Sequence, residues 1–378
     1  MKTYNILILS RTSVWGGAEQ TLIDTLPKIP FTFHLLTSDI QTVKSHYKAY
    51  FSKSLLHTSK YMRQQKIGLN PIKLTYEIYV IVKILFMIDK LVKKYHFDLI
   101  YGNNTEDIIL LGLYKFLFNR NIKVISHIHS QYLKLYHKNG LALKLFYSFL
   151  DKIIIPSKTS SILLSKSLHL EQTKMEVVYN GIDVNSLSRN FTSKKKKKYS
   201  IALVANIQKS KQQDLFLSVA EQLSKKNIIF YLIGGIVESK YFKQIQPKLK
   251  KLHNVKYLGA LKHEALMKFY EKLDLLMLLS NDEVLPTVIL EAMSLGTLVL
   301  SRNVGGVKEI IQNDKNGFLI PYTINVDDIV RKINDILSMK TSNKKKISQT
   351  AIKQIQKKFS LQQKSKKIQS IIRDVLHE

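Results

Sequence analysis

Residues 280–306 read Ser-Asn-Asp-Glu-Val-Leu-Pro-Thr-Val-Ile-Leu-Glu-Ala-Met-Ser-Leu-Gly-Thr-Leu-Val-Leu-Ser-Arg-Asn-Val-Gly-Gly and set the carboxylates of Glu283 and Glu291 eight positions apart. Pro286 lies between them and suits a first helical turn, because proline has no N–H to leave unpaired there. A helix start offers unpaired N–H groups and the positive end of a dipole to an anion. Eight residues of continuous helix at a rise of about 1.5 Å would span roughly 12 Å. That is about the reach from a sugar ring, across a diphosphate, to a ribose. Acids at both ends with an anion seat between them suit a nucleotide-sugar. A surface helix with two unrelated glutamates would give the same spacing. The context that separates the two readings is Glu-Ala-Met at 291–293, Gly296, and Val-Gly-Gly at 304–306.

With that context the stretch resembles the E-x7-E signature of family 4 retaining glycosyltransferases. The resemblance implies an α/β protein of the GT-B type, two Rossmann-like domains facing across a cleft. Bulk properties agree with a chain of that size. It has 378 residues, 45% of them hydrophobic, enough for two domains with sizeable cores. It has no cysteine, which excludes disulfides and thiolate metal sites and fits a reducing compartment. Lys and Arg number 59 against 28 acids, a formal net charge of +31 that predicts attraction to polyanions: nucleic acid, an anionic membrane face or phosphorylated substrates. Lysine dominates over arginine, which weakens a base-reading role, where the bidentate arginine fork is favoured. The first apolar run, 5–10, is too short for a secretory signal and reads as a strand. The longest apolar stretch, 74–92, is interrupted by Glu77, Lys83 and Asp89 and reads as a buried helix rather than a membrane span.

Short apolar strands alternate with helical patterns along the chain, the mark of parallel α/β sheets. Strands are expected at 5–10, 31–37, 98–101, 122–128, 152–155 and 176–179, with helices near 18–28, 74–94, 105–118, 141–150 and 158–169. Residues 38–70 read as a short helix and a basic loop. A second series has strands near 199–205, 228–233, 255–258, 274–279, 297–301 and 317–320, with helices at 212–225, 240–251, 263–271, 286–295, 307–313 and 326–338. The lysine run before it reads as an exposed linker. The expected domains are therefore 1–187 on the acceptor side, a basic linker 188–198, and a nucleotide-sugar domain 199–359, with a C-terminal helix of about 360–378 packing back on the first.

Further motifs carry the resemblance in chain order. The first strand leads into Gly16-Gly17-Ala18-Glu19, glycines that let a backbone approach a ligand closely. The family's Gly-Gly-Ala-Glu loop lies near the donor phosphates and acceptor. His127 and His129 end a strand, where ligands of open parallel sheets bind. The family places a histidine there facing the donor sugar, a role that passes by register to His129, with His127 as the weaker candidate. An i, i+2 histidine pair is also a metal-site pattern, but no matching carboxylate cluster is apparent. Asn180-Gly181-Ile182-Asp183 matches the family's marker before its interdomain linker. The segment 204–211 is where the family carries Gly-Arg…Lys-Gly to neutralise the donor diphosphate. Lys211 matches the lysine; Asn206 stands at the arginine and Gln212 at the glycine, departures that leave three readings open: weaker diphosphate holding, compensation by Lys209, or a different donor. Gly234 and Gly235 resemble the turn at the family's base-binding edge.

The resemblance thus implies transfer of a hexose from a nucleotide-diphosphate donor, UDP-sugar favoured, to a glycan or lipid-linked acceptor in bacterial surface polysaccharide biosynthesis, with retention and without a metal. It assigns catalysis to His129, Glu283 and Lys211. It assigns donor binding to Gly16, Gly17, Asn206, Lys209, Lys211, Gly234, Leu285, Pro286, Thr287 and Glu291. No cofactor is implied; the nucleotide-sugar is a substrate. The basic stretch Lys44–Lys73, with Tyr47, Tyr50, Phe51 and Tyr61 among its lysines, suits an anionic membrane surface. A cytoplasmic protein peripheral on the inner face of the cell membrane is the expectation. Two other readings stand beside it: a catalytically silent GT-B partner subunit, kept open by Asn206, and a polyanion or nucleic-acid binder, for which no recognised motif appears.

Overall fold

The computed structural model describes residues 4–13, 17–63, 71–105, 107–129, 143–184 and 198–377. The chain forms two compact units, Met1–Tyr179 with Leu361–Glu378, and Asn180–Ser360. The linker expected at 188–198 lies, except for its last residue, outside the described residues.

The first unit is a seven-stranded parallel sheet of β1 (Asn5–Ser10), β2 (Thr32–Ser38), β3 (Leu56–Ser59), β4 (Leu99–Gly102), β5 (Lys123–His127), β6 (Lys152–Ile155) and β7 (Met175–Val177), in the order β3-β2-β1-β4-β5-β6-β7. The order reverses direction at β1/β4, the switch point that marks ligand sites in doubly wound sheets. Helices α1 (Gly17–Thr25), α2 (Gln41–Lys48), α3 (Pro71–Tyr95), α4 (Asp107–Leu117), α5 (143–147) and α6 (Lys158–Leu168) connect the strands. Central strands are covered on both faces, so they read as unbroken apolar runs: Ile6, Leu7, Ile8 and Leu9 are all inaccessible to solvent.

The second unit is a six-stranded parallel sheet in the order β10-β9-β8-β11-β12-β13. Its strands are β8 (Tyr199–Val204), β9 (Ile228–Ile233), β10 (Val255–Gly259), β11 (Leu275–Leu278), β12 (Leu298–Arg302) and β13 (Phe318–Ile320). They alternate with α7 (Gln213–Gln222), α8 (Ser239–Lys251), α9 (His263–Lys272), α10 (Thr287–Ser294), α11 (Val307–Ile310), α12 (Val326–Ser338) and α13 (Thr341–Lys358). Both expected parallel α/β sheets are therefore present.

The last helix, α14 (Leu361–His377), belongs to the first unit. Its buried residues Leu361, Lys364, Ile368, Ile371, Ile372 and Val375 recur at three- and four-residue spacing, one apolar stripe with a lysine in it. The isoleucines pack with Ile6, Ile8 and Leu22 in one core cluster, and the Ser365 hydroxyl donates to Thr25 O at 3.3 Å.

Three local readings change. Residues 38–70 hold an additional edge strand, β3, whose Leu-His-Thr-Ser is half-buried throughout and lacks the apolar run of a central strand. The helix expected at 307–313 is only Val307–Ile310. In the segment Lys44–Lys73, Tyr47 and Phe51 are core residues, 0% and 8% exposed, so they are not available to lipid headgroups. Burial of Tyr47 also lets its hydroxyl meet Ser10 Oγ at 3.0 Å.

Candidate functional site

In the second unit the expected residues gather at the C-terminal ends of β8, β9, β11 and β12. After β8 the chain makes a tight 3-10 turn, Lys209–Lys211. Asn281 N–H, beyond β11, donates to Ser210 O at 2.8 Å and ties that turn to the loop carrying the first glutamate. Lys211 Nζ then meets Glu283 Oε1 at 2.6 Å, with the two side chains only 20% and 11% exposed. A charge-assisted contact this short, mostly out of water, fixes both groups. Lys209 is exposed; its backbone N–H donates to Glu238 Oε2 at 3.1 Å. Gln212, where the family has glycine, adopts the left-handed conformation with φ 55°. That region is strained for most L-residues. The Gln212 side chain folds back to donate to Lys209 O at 3.1 Å, a local hydrogen bond that offsets part of the strain.

Two glycines are required by close approach. Gly234 has φ +152°, and a Cβ there would sit 1.9 Å from Ala205 O. Gly305 has φ +49°, and a Cβ would sit 1.6 Å from Glu283 O. The same carbonyl accepts from Gly306 N–H at 3.1 Å. Val-Gly-Gly therefore closes on the backbone of the catalytic candidate itself. Asn206 is solvent-exposed and lies beside the Gly234-Gly235 turn, its Oδ1 3.7 Å from where a Gly235 Cβ would be.

Helix α10 starts at Thr287. Pro286 is its N-cap, in an extended conformation (φ −70°, ψ 117°), and no side chain caps the helix. The first N–H groups are thus unclaimed by any capping side chain, as an anion seat requires. Residues 283–286 are loop, so the span expected for continuous helix between the two glutamates is corrected: only Thr287–Glu291 is helical. Leu285 is buried, and its carbonyl accepts from Asn180 Nδ2 at 3.0 Å. This places the start of the Asn-Gly-Ile-Asp marker against the site loop. Glu291 is 13% exposed and faces His263 Nδ1 at 4.0 Å. Burial pushes its carboxyl up to about 7, and the adjacent Tyr270 hydroxyl offsets only part of this. A carboxylate kept dry without a strong partner is poised to accept hydrogen bonds from a ligand.

In the first unit, His127 and His129 follow one another at the end of β5 with ring centroids 4.0 Å apart. His127 is 2% exposed, and its Nδ1 lies 2.6 Å from the Tyr101 hydroxyl. His129 is half-buried, and its Nε2 donates to Asn103 Oδ1 at 3.0 Å. Burial, with the cation of Lys364 nearby, holds His129 down at about 3 and His127 well below the usual imidazole range. Both rings are neutral at physiological pH and serve as hydrogen-bonding groups, not acids. Of the two, His129 keeps access to solvent. A small cavity beside them is lined by Thr25, Tyr101, Asn103, His127, His129 and Lys364. Gly17 opens α1, while Gly16 lies outside the described residues.

Lys211, Glu283, Glu291, Gly234 and the α10 start thus share one strand-end surface of the second unit, and His129 and Gly17 belong to the first. Sequence reasoning passed over Arg302, Tyr270 and Lys364, and used Gly305 only as context. Arg302 ends a mostly apolar strand and Lys364 interrupts an apolar stripe, signals that a periodicity reading could have used.

The profile described as Glycosyltransferase Family 4 matches residues 23–186, and that described as Glycosyl transferases group 1 matches residues 185–354. Similar curated proteins include the O-antigen biosynthesis glycosyltransferase WclY of Escherichia coli, 28% identical over 224 residues, 55% of this chain and 62% of that protein. The N-acetyl-alpha-D-glucosaminyl L-malate synthase of Bacillus anthracis is 26% identical over 220 residues, 55% of this chain and 56% of that protein. The matched regions therefore span about three-fifths of these relatives' length. Among solved structures, Anabaena HepE in complex with UDP-glucose superposes with a TM-score of 0.76 at 20% identity, covering 98% of this chain and 99% of that one. A glycosyltransferase from Rickettsia africae gives 0.79 at 19% identity, covering 100% and 99%. At these identities the superpositions establish the shared fold.

Proposed function

The chain belongs to glycosyltransferase family 4, with the GT-B type of fold, and from that premise we propose that it transfers a hexose, with retention and without a metal, from a UDP-sugar to a glycan or lipid-linked acceptor of a bacterial surface polysaccharide. The observation that carries the proposal is the Lys211–Glu283 pair at 2.6 Å beside the uncapped start of α10, with the dry carboxyl of Glu291 one turn further on. UDP is favoured as the donor nucleotide because HepE was solved with UDP-glucose. The acceptor class follows the O-antigen relative.

In this reading Glu291 accepts hydrogen bonds from the ribose hydroxyls. The N–H groups at Leu285–Thr287 and the ammonium of Lys211 receive the diphosphate. The bond from the anomeric carbon to the phosphate oxygen breaks, leaving negative charge on the diphosphate and oxocarbenium-like charge on the sugar. Lys211 stabilises the first; Glu283, released from Lys211 as the diphosphate arrives, takes a sugar hydroxyl. His129 offers a neutral imidazole to the sugar. These contacts grow with charge separation, which is the requirement for raising turnover rather than affinity alone. With Asn206 uncharged, Lys211 bears more of the leaving-group charge than the family's paired cations do.

For a membrane partner the surface proposed is the outer face of α3, where Tyr76, Ile78, Tyr79, Val82 and Phe86 are 41–60% exposed. Lys83 lies over Tyr79 and Lys60 over Tyr61 on the same side. Aromatics interleaved with lysines suit an anionic headgroup layer. No helix among the described residues is long and apolar enough to cross a membrane.

A thermal-shift screen of UDP-, GDP- and ADP-sugars, with and without EDTA, tests the donor, since a ligand of the native state raises its melting temperature. Stabilisation by UDP-sugars that survives EDTA is expected, followed by transfer with retained anomeric configuration by NMR. Failure of every nucleotide-sugar to bind would overturn the proposal. Binding without transfer or hydrolysis would favour the silent-subunit reading that Asn206 keeps open.

A further inference from the structure

Arg302 is the last residue of β12 (Leu-Val-Leu-Ser-Arg), a cation only 7% exposed. Its Nη1 donates to two acceptors of the loop after β11, Leu279 O at 3.1 Å and Asn281 Oδ1 at 2.9 Å. Its guanidinium lies 5.2 Å from the centre of the Tyr322 ring, which leaves it one stacked face and one edge for the loop. Asn281 passes the restraint on: its backbone N–H donates to Ser210 O at 2.8 Å, in the turn that carries Lys211. Lys211 holds Glu283 at 2.6 Å. Glu283 O accepts from Gly306 N–H at 3.1 Å, four residues after Arg302. The contacts form a closed ring, and Nη1 of Arg302 is the member that binds the β11 loop to the end of β12.

We infer that Arg302 is a positioning residue for sugar transfer: acting through Asn281, it fixes the turn bearing Lys211 and the loop bearing Glu283 at one separation, so that a diphosphate and its sugar meet both groups in place. The inference rests on the transferase reading of the site. It assigns a task to a residue to which the proposed function gives no contact with donor or acceptor. Arginine suits this task because one planar NH2 group, at Nη1, meets two oxygens while the guanidinium lies over an aromatic ring; lysine would supply the charge without that plane.

The test compares Arg302→Ala, Arg302→Lys and Asn281→Ala with wild type in steady-state transfer, UDP calorimetry and thermal melting. For Arg302→Ala, kcat should fall by about a hundredfold, the scale of a misplacement near 1 Å, while KM for the UDP-sugar changes several-fold at most. Added guanidinium, at concentrations well below denaturing, should restore at least a tenth of the lost rate by refilling the place of the side-chain group. Arg302→Lys should remain impaired, because it keeps the charge and loses the geometry. Asn281→Ala cuts the link without emptying the strand end, and it carries the test if Arg302→Ala does not fold. Its kcat should fall by at least about tenfold with little change in melting temperature. Turnover within about twofold of wild type in either variant, or a loss in Arg302→Ala that guanidinium does not relieve, overturns the inference. A wild type that transfers no sugar would count against the transferase reading instead. The position of the 209–211 turn in a crystal structure of Asn281→Ala then decides the present point: a displaced turn supports it, and a superimposable one sinks it.

Discussion

Replacing Glu291 with Gln should make the protein more stable and worse at binding nucleotide, and the pH dependence of both effects follows from its burial. The carboxyl is raised from 4.5 to about 7 in the folded chain. The sign follows from proton counting. Between the two values the folded state holds a proton that the unfolded state has released, so stability falls as pH rises through that window. Below about 4.5 both states are protonated and the penalty vanishes; above about 7 it is fully present. A shift of this size corresponds to about 3 kcal/mol at 1.36 kcal/mol per unit. For a unit of this size, 1 kcal/mol moves the melting temperature by roughly 2–4 °C. Glu291→Gln should therefore gain about 6–12 °C on wild type between about pH 4.5 and pH 8, with the divergence confined to the interval in which the carboxyl titrates.

The same experiment with UDP reads the functional side. If ribose hydroxyls donate to this carboxylate, wild-type affinity should strengthen as pH rises through about 7, while the variant is weaker by roughly 1–3 kcal/mol and flat with pH. A site that is strained when empty and relieved by its ligand trades stability for function. Parallel melting profiles for the two proteins across the whole range, or undiminished UDP affinity in the variant, would refute the reasoning. The first result would show that the carboxyl is not held dry, and the second that the ribose does not reach it.

Lys211→Ala should lower kcat far more than it raises KM, because leaving-group charge develops in the transition state; if only Lys209→Ala does so, the register that assigns Lys211 is wrong. Gly305→Ala puts a Cβ 1.6 Å from Glu283 O at a φ of +49°, so it should cost more than about 2 kcal/mol in denaturant unfolding and abolish turnover, and a wild-type-like Ala variant would remove the claimed contact. Lys364 is fully buried, and its amine is depressed by that burial from 10.5 to about 7. Between those values the unfolded chain holds the extra proton, so wild-type stability should climb with pH, whereas Lys364→Met should be flat there and more stable at neutral pH by on the order of 4 kcal/mol; equal pH profiles would contradict it.

The sheets were legible because strands covered on both faces appear as apolar runs bounded by turns, which is how Ile6–Leu9 and Leu275–Leu278 read. β3 was not, because an edge strand half-buried along its length has no such contrast with a loop. The lysine-rich composition hid two things at once. It made the aromatics of Lys44–Lys73 look like an interfacial segment when Tyr47 and Phe51 are core, and it made Lys364 look like one more solvated cation on a basic helix. The apolar residues at 361, 368, 371, 372 and 375 fix which side of α14 is buried, and Lys364 falls on that side.

The spacing of Glu283 and Glu291 was read through a geometry that the fold does not use. Only Thr287–Glu291 is helical, so a helix does not set the distance between the two carboxylates. Each is fixed separately. Glu291 is held by its place on α10 and by burial beside Tyr270. Glu283 is held at its backbone by Gly305 and Gly306 and at its side chain by Lys211. The glycine pair and Glu283 are therefore a single constraint, separate from the burial that holds Glu291: Gly305 allows the β12 loop to close on the Glu283 carbonyl. Changing the number of residues between the glutamates would break that closure even if α10 itself were unharmed. A one-residue insertion after Val284 should for that reason release Glu283 from Gly306 and Lys211 together and remove sugar transfer, while leaving the Glu291 contact to free UDP in place. Loss of UDP binding and transfer to the same degree would show that the two glutamates are joined through the helix after all.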